Sequence, residues 1–295
     1  MNVVLIPFFL GASVIVNDTS KWTFGPEYSY DLNMTYMIKT DPHEPVGTMT
    51  LISKLKCRPK AVDNLFCHLQ NSTIVNLGRD RNTTREVETE QIFEIKFNER
   101  GGVEGLIIEP PSRMEVVNVL RKIANQFSIG VDRHKIERMS QFMARENSSM
   151  GNCATVYRIT RGELKTNTVK EENIDFQLNV LPMTNDTKPI SNLSIEKSRM
   201  GCINPPRYVD FSSGILKMGR FVSKIQINNR FTVFTEFDGK VRPPTDSMNR
   251  ILLFKEIVQL NLDSINPAQG ELPPISYGEL IDLNINTDIP SNFIN

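Results

Sequence analysis

The 295-residue sequence predicts a mainly β fold: a large antiparallel, barrel-like sheet wrapped around one central α-helix. Three observations carry this. Long runs alternate apolar and polar residues with period two, as strands with one wet face do. One segment, between Ser112 and Gly130, breaks that pattern with helical spacing. No internal repeat divides the series into smaller units. An antiparallel sheet of this extent curls, and the lone helix is the obvious filler of its interior.

Composition bounds the function. Lys+Arg and Asp+Glu number 34 each, so the net charge is zero. That excludes a strongly basic nucleic-acid binder and an acidic solvating tail. Gly (16) and Pro (17) are ordinary in number, which excludes collagen-like and disordered chains. A fold of this mass buries about 75% of its unfolded surface, so a core forms without a metal or cofactor. Length alone allows one large domain or two small ones; the strand tally favours one.

Residues 3–16, VVLIPFFLGASVIV, are the longest apolar run. The run is too short for a transmembrane helix, which needs about 20 residues. It fits the apolar region of a secretory signal peptide, with Gly11, Ala12 and Ser13 near its end. No Lys or Arg precedes it, and the alternative is a buried N-terminal strand. The expected organisation is a signal peptide over 1–16, a β domain over 17–265 and a tail or linker over 266–295.

Strand signals follow in order. Tyr28, Tyr30, Leu32, Met34, Tyr36 and Ile38 alternate with mostly polar residues. Met49, Leu51, Leu55 and Cys57 share one parity in the next run. Phe66–Leu77 and Ile92–Phe97 continue the series, and a turn at Gly101-Gly102 leads to a strand near Val103–Ile108. The helix places Val116, Val117, Leu120, Ile123, Ala124 and Phe127 on one face. Ser112 sits at its N-cap with Glu115 three residues later, and Gly130 is its stop. Strands resume at Ala154–Thr160, Ile174–Val180, Phe221–Ile227, Arg230–Phe237 and Ile251–Leu262, with a tight turn at Asn228-Asn229. Residues 183–199 are polar and rich in sequons, so they read as an exposed loop. From Pro267 the chain reads as a linker or lightly packed flap.

N-x-[ST] occurs at Asn17, Asn33, Asn71, Asn82, Asn147, Asn185 and Asn192, where about three would arise by chance. Asn17 lies too near the expected cleavage point to count as an acceptor. The four cysteines, Cys57, Cys67, Cys153 and Cys202, read as two disulfides with three possible pairings. Cys57 and Cys67 bracket a turn between two strand-like runs, so a cross-strand bridge there is economical, which leaves Cys153 with Cys202. Without CxxC or a nearby His pair, zinc is not expected.

Enzyme motifs do not assemble. None of His43, His68 and His134 sits in HExxH, and GxSxG, a Walker loop and GxGxxG after a strand are absent. The expectation is a protein that is not an enzyme and holds no cofactor.

The ordered segments carry more. Trp22-x-x-Gly25-x-x-Tyr28-x-Tyr30 opens a period-2 strand; ISKLKCRPKAVDNLFCHLQNSTI and IFEIKFNERGGVEGLIIE follow; after a proline break come VVNVLRKIANQFSIGVD, MGNCATVYRIT and SRMGCINPPRYVDF. This succession closely resembles the N-terminal domain of vitellogenins, especially insect ones, within the large lipid transfer protein family, over about residues 20–265. The resemblance implies the lipovitellin type of sheet, wrapped around the helix Met114–Ser128, and the pairing Cys153–Cys202. It also implies secretion, lipid as a partner, and docking to a receptor of the low-density-lipoprotein-receptor type. Such receptors present acidic modules, so a basic patch would dock them. Lys54, Lys56, Arg58 and Lys60 alternate on one strand face and are the best candidates. Arg79, Arg81 and Arg85, and Arg133, Lys135 and Arg138, are two further clusters. Family members continue into a helical superhelix and lipid-cavity sheets that this sequence does not contain. The expectation is therefore a single-domain form in lipid transport or yolk provisioning. The alternatives are an interaction module that carries no lipid and a piece of a longer carrier.

Overall fold

The computed structural model describes residues 1–39, 46–77, 82–87, 90–109, 114–162, 175–181, 192–203, 215–242, 251–275 and 278–284. In chain order these form β1 (Asn2–Ile6), β2 (Leu10–Val14), β3 (Pro26–Lys39), β4 (Gly47–Ala61), β5 (Asn64–Leu77), β6 (Asn82–Val87), β7 (Gln91–Phe97), β8 (Val103–Ile108), α1 (Met114–Phe127), α2 (Arg133–Arg138), β9 (Gln141–Ser148), β10 (Gly151–Gly162), β11 (Phe176–Val180), β12 (Asn192–Ile203), β13 (Ile215–Ile227), β14 (Phe231–Arg242), β15 (Leu252–Pro267) and β16 (Glu279–Asp282).

Thirteen of these strands form one antiparallel sheet in the order β16-β8-β7-β5-β4-β3-β15-β14-β13-β12-β10-β9, with β6 paired beside β5. Among the described residues the sheet curls without closing, since its edge strands β16 and β9 do not pair with each other. Period two explains the curl's inner surface. On β3, Tyr28, Tyr30, Leu32, Met34 and Tyr36 all point inward and are buried. On β15, Phe254, Val258, Leu260 and Leu262 do the same. These faces meet on α1: the Phe127 ring stands edge-on to Tyr30 at 5.3 Å and stacks on Phe231 at 6.5 Å.

The helix packs on β8, β14 and β15, so sheet lies on more than one side of it. That explains a difference from the sequence expectation of one buried stripe. Asn118, Arg121, Lys122, Asn125 and Gln126 on the polar face are buried as well as Val117, Leu120, Ile123, Ala124 and Phe127. Polar groups inside need partners. Lys122 Nζ pairs with Glu256 at 2.6 Å, and Arg121 Nε donates to Asp282 O at 2.9 Å. The predicted N-cap, Ser112, lies outside the described residues.

The apolar run over 3–16, expected as the core of a secretory signal, is folded here as the β1–β2 hairpin. With β11 it makes a second, three-stranded sheet. Leu5, Ile6, Phe9 and Leu10 are buried in the common core, and the Tyr28 hydroxyl donates to Val4 O at 2.7 Å. Phe8 turns the hairpin at φ 62, an unusual conformation for a non-glycine residue.

Two other segments differ from expectation. Residues 192–199, read as part of an exposed loop, lie in β12, well inside the sheet between β10 and β13; residues 183–191 fall outside the described residues. Within the segment read as a tail, β16 adds an edge strand to β8, and Leu283 beyond it is fully buried. Strand β9 and the short α2 carried too little apolar periodicity to be read.

Candidate functional site

The surface between α1 and the sheet contains a charged cluster. On β12, Leu193, Ile195, Lys197 and Arg199 share the inward parity and are all buried. Lys197 lies where α1 ends. Its Nζ donates to Ser128 O at 2.7 Å and Ile129 O at 3.3 Å, beside carbonyls that a helix terminus leaves without intrahelical donors. It also pairs with Glu146 on β9 at 2.5 Å. Arg199 reaches the same carboxylate at 3.4 Å and lies 4.4 Å from the Phe221 ring centroid.

The cluster continues as a hydrogen-bonded thread. Arg199 Nη1 donates to Ser223 Oγ at 2.7 Å, and that hydroxyl lies 2.9 Å from Thr235 Oγ1. Thr235 Oγ1 then donates to Gln126 Oε1 at 2.7 Å, returning to the helix. Burial pushes Lys197 down to about 8; Glu146 opposes that shift and Arg199 adds to it. Burial also raises the Tyr157 phenol, whose ring lies 5.5 Å from Lys197 Nζ. The three charged side chains are about 1% exposed, so the arrangement holds the helix against the sheet and offers no opening to a substrate.

Sequence reasoning missed this thread, although a signal was present. Leu193 and Ile195 mark the inward parity, and continuing it by two and four residues lands on Lys197 and Arg199. The polarity of those two residues concealed the strand.

The outer face carries the cations that were singled out. Lys54, Lys56, Arg58 and Lys60 do lie together on the outward side of β4. Each also has an acidic partner. Lys54 pairs with Asp31 at 2.6 Å and Asp263 at 3.2 Å, and Lys56 and Arg58 share Glu27 at 3.2 and 2.6 Å. Lys60 pairs with Glu94. Burial works to raise the Glu27 pKa, but hydrogen bonds from Arg58 and Lys56 hold it below the ordinary carboxylate range. The hydrogen bond to Asp31 raises that of Lys54. Four cations thus meet four carboxylates, and the strip is locally neutral. Of the other two clusters, Arg79 and Arg81 lie outside the described residues, and Arg85 is exposed on β6. Lys135 and Arg138 sit on α2.

Both disulfides form as paired in the sequence reading. Cys57–Cys67 links directly opposed residues of β4 and β5, and Cys153–Cys202 ties β10 to β12. Asn71, Asn82, Asn147 and Asn192 are exposed; Asn33 is half-buried on the outer side of β3; Asn185 lies outside the described residues. Asn71 stands at φ 51 where the β4–β5 register shifts, which turns it out of the ladder.

No family model and no curated protein sequence matches the chain. A solved structure described as lipid–protein interactions in lipovitellin superposes on 90% of it, at TM-score 0.62 and 11% identity. The chain spans 28% of that lipovitellin chain. The likeness shows a shared fold. A lipoprotein-sorting protein domain from Vibrio parahaemolyticus aligns at TM-score 0.13 and 9% identity, which carries no argument.

Proposed function

We propose that this chain is a secreted, vitellogenin-like domain that works in lipid transport or yolk provisioning and in receptor recognition. The observation that carries the reading is the curled antiparallel sheet wrapped around α1, which is like lipovitellin over 90% of the chain. Two disulfides and several exposed sequon asparagines support an oxidising, extracellular setting. Among the described residues no helix is long and apolar enough to cross a membrane. The reading assigns the chain no catalytic step and no cofactor.

The test is native mass spectrometry of the purified secreted protein, with lipid transfer between vesicles. Lipid retained by the protein, or lipid moved by it, supports the carrier. A lipid-free protein that moves nothing sinks it.

The packed interior favours a second reading, an interaction module that carries no bulk lipid. Side chains of α1 fill the space under the sheet, so cargo would sit against this unit rather than inside it. Receptor docking through Lys54, Lys56, Arg58 and Lys60 would require these cations to exchange their own carboxylates for those of the receptor. A pulldown on receptor ectodomains with a Lys54→Glu, Lys56→Glu, Lys60→Glu chain tests that face. Undiminished capture rejects it.

A further inference from the structure

A second concentration of lysines lies on the outer side of the sheet, toward the ends of β3, β13, β14 and β15. Here a half-open groove of about 460 Å³ is lined by Met37, Val46 and Leu253 together with Lys39, Lys217 and Lys240, with Asp238 and Lys255 beside them. That volume is within the range of small-ligand sites, about 300–1,000 Å³. Strand register sets the arrangement. Lys39, Leu253, Lys240 and Lys217 form one row across four strands, each opposite the next. Met37, Lys255 and Asp238 form the adjacent row.

Folding does not account for this row. Lys240 and Lys217 face each other directly, and like charges so placed destabilise a sheet. Among the described residues two carboxylates lie nearby, and Asp238 also lines the groove. Glu236 pairs with Lys255 at 3.2 Å, and Asp238 accepts from Arg220 N at 2.8 Å. Among the described residues no ion pair is found for Lys39, Lys217 or Lys240, whereas every cation singled out on β4 has one. Leu253 and Val46 are also 47% and 43% exposed, a cost that a covering ligand would remove.

Apolar side chains beside three lysines that form no ion pair among the described residues complement an amphipathic anion. We propose that this groove binds a single long-chain fatty-acid anion, with its carboxylate among Lys39, Lys217 and Lys240 and its chain along Met37, Val46 and Leu253. The ammonium groups supply charge-assisted hydrogen bonds and the apolar side chains supply burial. The site lies on the outer face, on the opposite side of the sheet from α1. It stands on this geometry and does not depend on the fold likeness.

The test is titration of the full chain with the fluorescent fatty acid cis-parinarate, followed by competition. Saturable binding of one molecule per chain is expected, displaced by oleate and not by oleyl alcohol or inorganic phosphate. The Lys39→Gln, Lys217→Gln, Lys240→Gln chain is expected to bind about tenfold more weakly or worse, since each lost contact is made by a charged donor. Leu253→Asp weakens binding independently, and Lys54→Gln, on the paired strip, leaves it unchanged. A folded triple variant with parental affinity overturns the proposal, as does a parent chain with no saturable binding. Displacement by phosphate would make it a plain anion site, and equal displacement by oleyl alcohol an apolar groove with no use for its lysines; either result also overturns it. Competition on the unmodified chain decides the matter even if a variant fails to fold. A lipid-free result in native mass spectrometry would sink the carrier reading without touching this site.

Discussion

Among the described residues, Glu146 is the one carboxylate paired with the buried cations Lys197 and Arg199. Glu146→Gln would leave Lys197 and Arg199 inside without a counter-charge, and is expected to cost about 3–5 kcal/mol in urea denaturation. Lys197→Met leaves the Glu146–Arg199 pair in place and is expected to cost less. The pH dependence has a definite sign. The folded chain holds Lys197 at about 8, below the ordinary 10.5. Between those values the unfolded chain keeps a proton that the folded chain has lost. Stability from this group therefore rises with pH across that window, and below about pH 8 the gain is absent. Burial raises the phenols of Tyr28, Tyr30 and Tyr157, so their contribution is lost once pH passes the ordinary tyrosine value. Urea midpoints measured from pH 7 to 11 should rise and then fall, with the rise missing in Lys197→Met. By contrast Lys54→Ala, at a half-exposed pair, should shift stability by less than about 1 kcal/mol.

At the scale of elements, α1 and the β1–β2 hairpin bear most on the core. Phe127→Ala removes the ring that Tyr30 and Phe231 close on, and is expected to cost about 3–5 kcal/mol. A chain beginning at Asn17 loses both hairpin strands and the buried Leu5, Ile6, Phe9 and Leu10. It is expected to melt lower and to bind a hydrophobic dye, because β11 and Tyr28 lose their cover. Signal cleavage near residue 16 would produce that chain, so N-terminal sequencing of secreted material bears directly on which form exists. Elements differed in how far they could be read. Strand β3 was legible from its alternation, and α1 from its apolar spacing. Strand β12 was not, because its inward positions change from Leu193 and Ile195 to Lys197 and Arg199, and partners distant in sequence, Glu146, the end of α1 and Ser223, make those charges tolerable inside. Strand β16 is four residues long, too short for a period to show.

Across the whole molecule, the outer face carries a neutral strip on β4 and a row across β3, β15, β14 and β13 whose lysines form no ion pair among the described residues. Charge runs in the sequence pointed to the first, since Lys54, Lys56, Arg58 and Lys60 are close neighbours in the chain. Lys39, Lys217 and Lys240 come from three distant segments, and only strand register makes them a row. Glycan placement follows from the same surface. If the chain is secreted, glycosidase treatment should reduce its mass, and Asn71→Gln should remove one of those steps.

By itself the sequence determined the period-2 strands, the single long helix, the near pairing of Cys57 with Cys67 and the alternation that puts four cations on one side of β4. All of these are local: each depends on residues within a strand or a turn of one another. Tertiary structure alone decided that the described edge strands stay unpaired with each other, that the polar side of α1 is buried too, that the β4 cations are neutralised and that the lysines of the outer groove find no ion pair among the described residues. Those outcomes depend on which distant strands become neighbours and on whether a charge meets a partner there. A residue's own segment does not encode its partner, so one-dimensional periodicity could not show them.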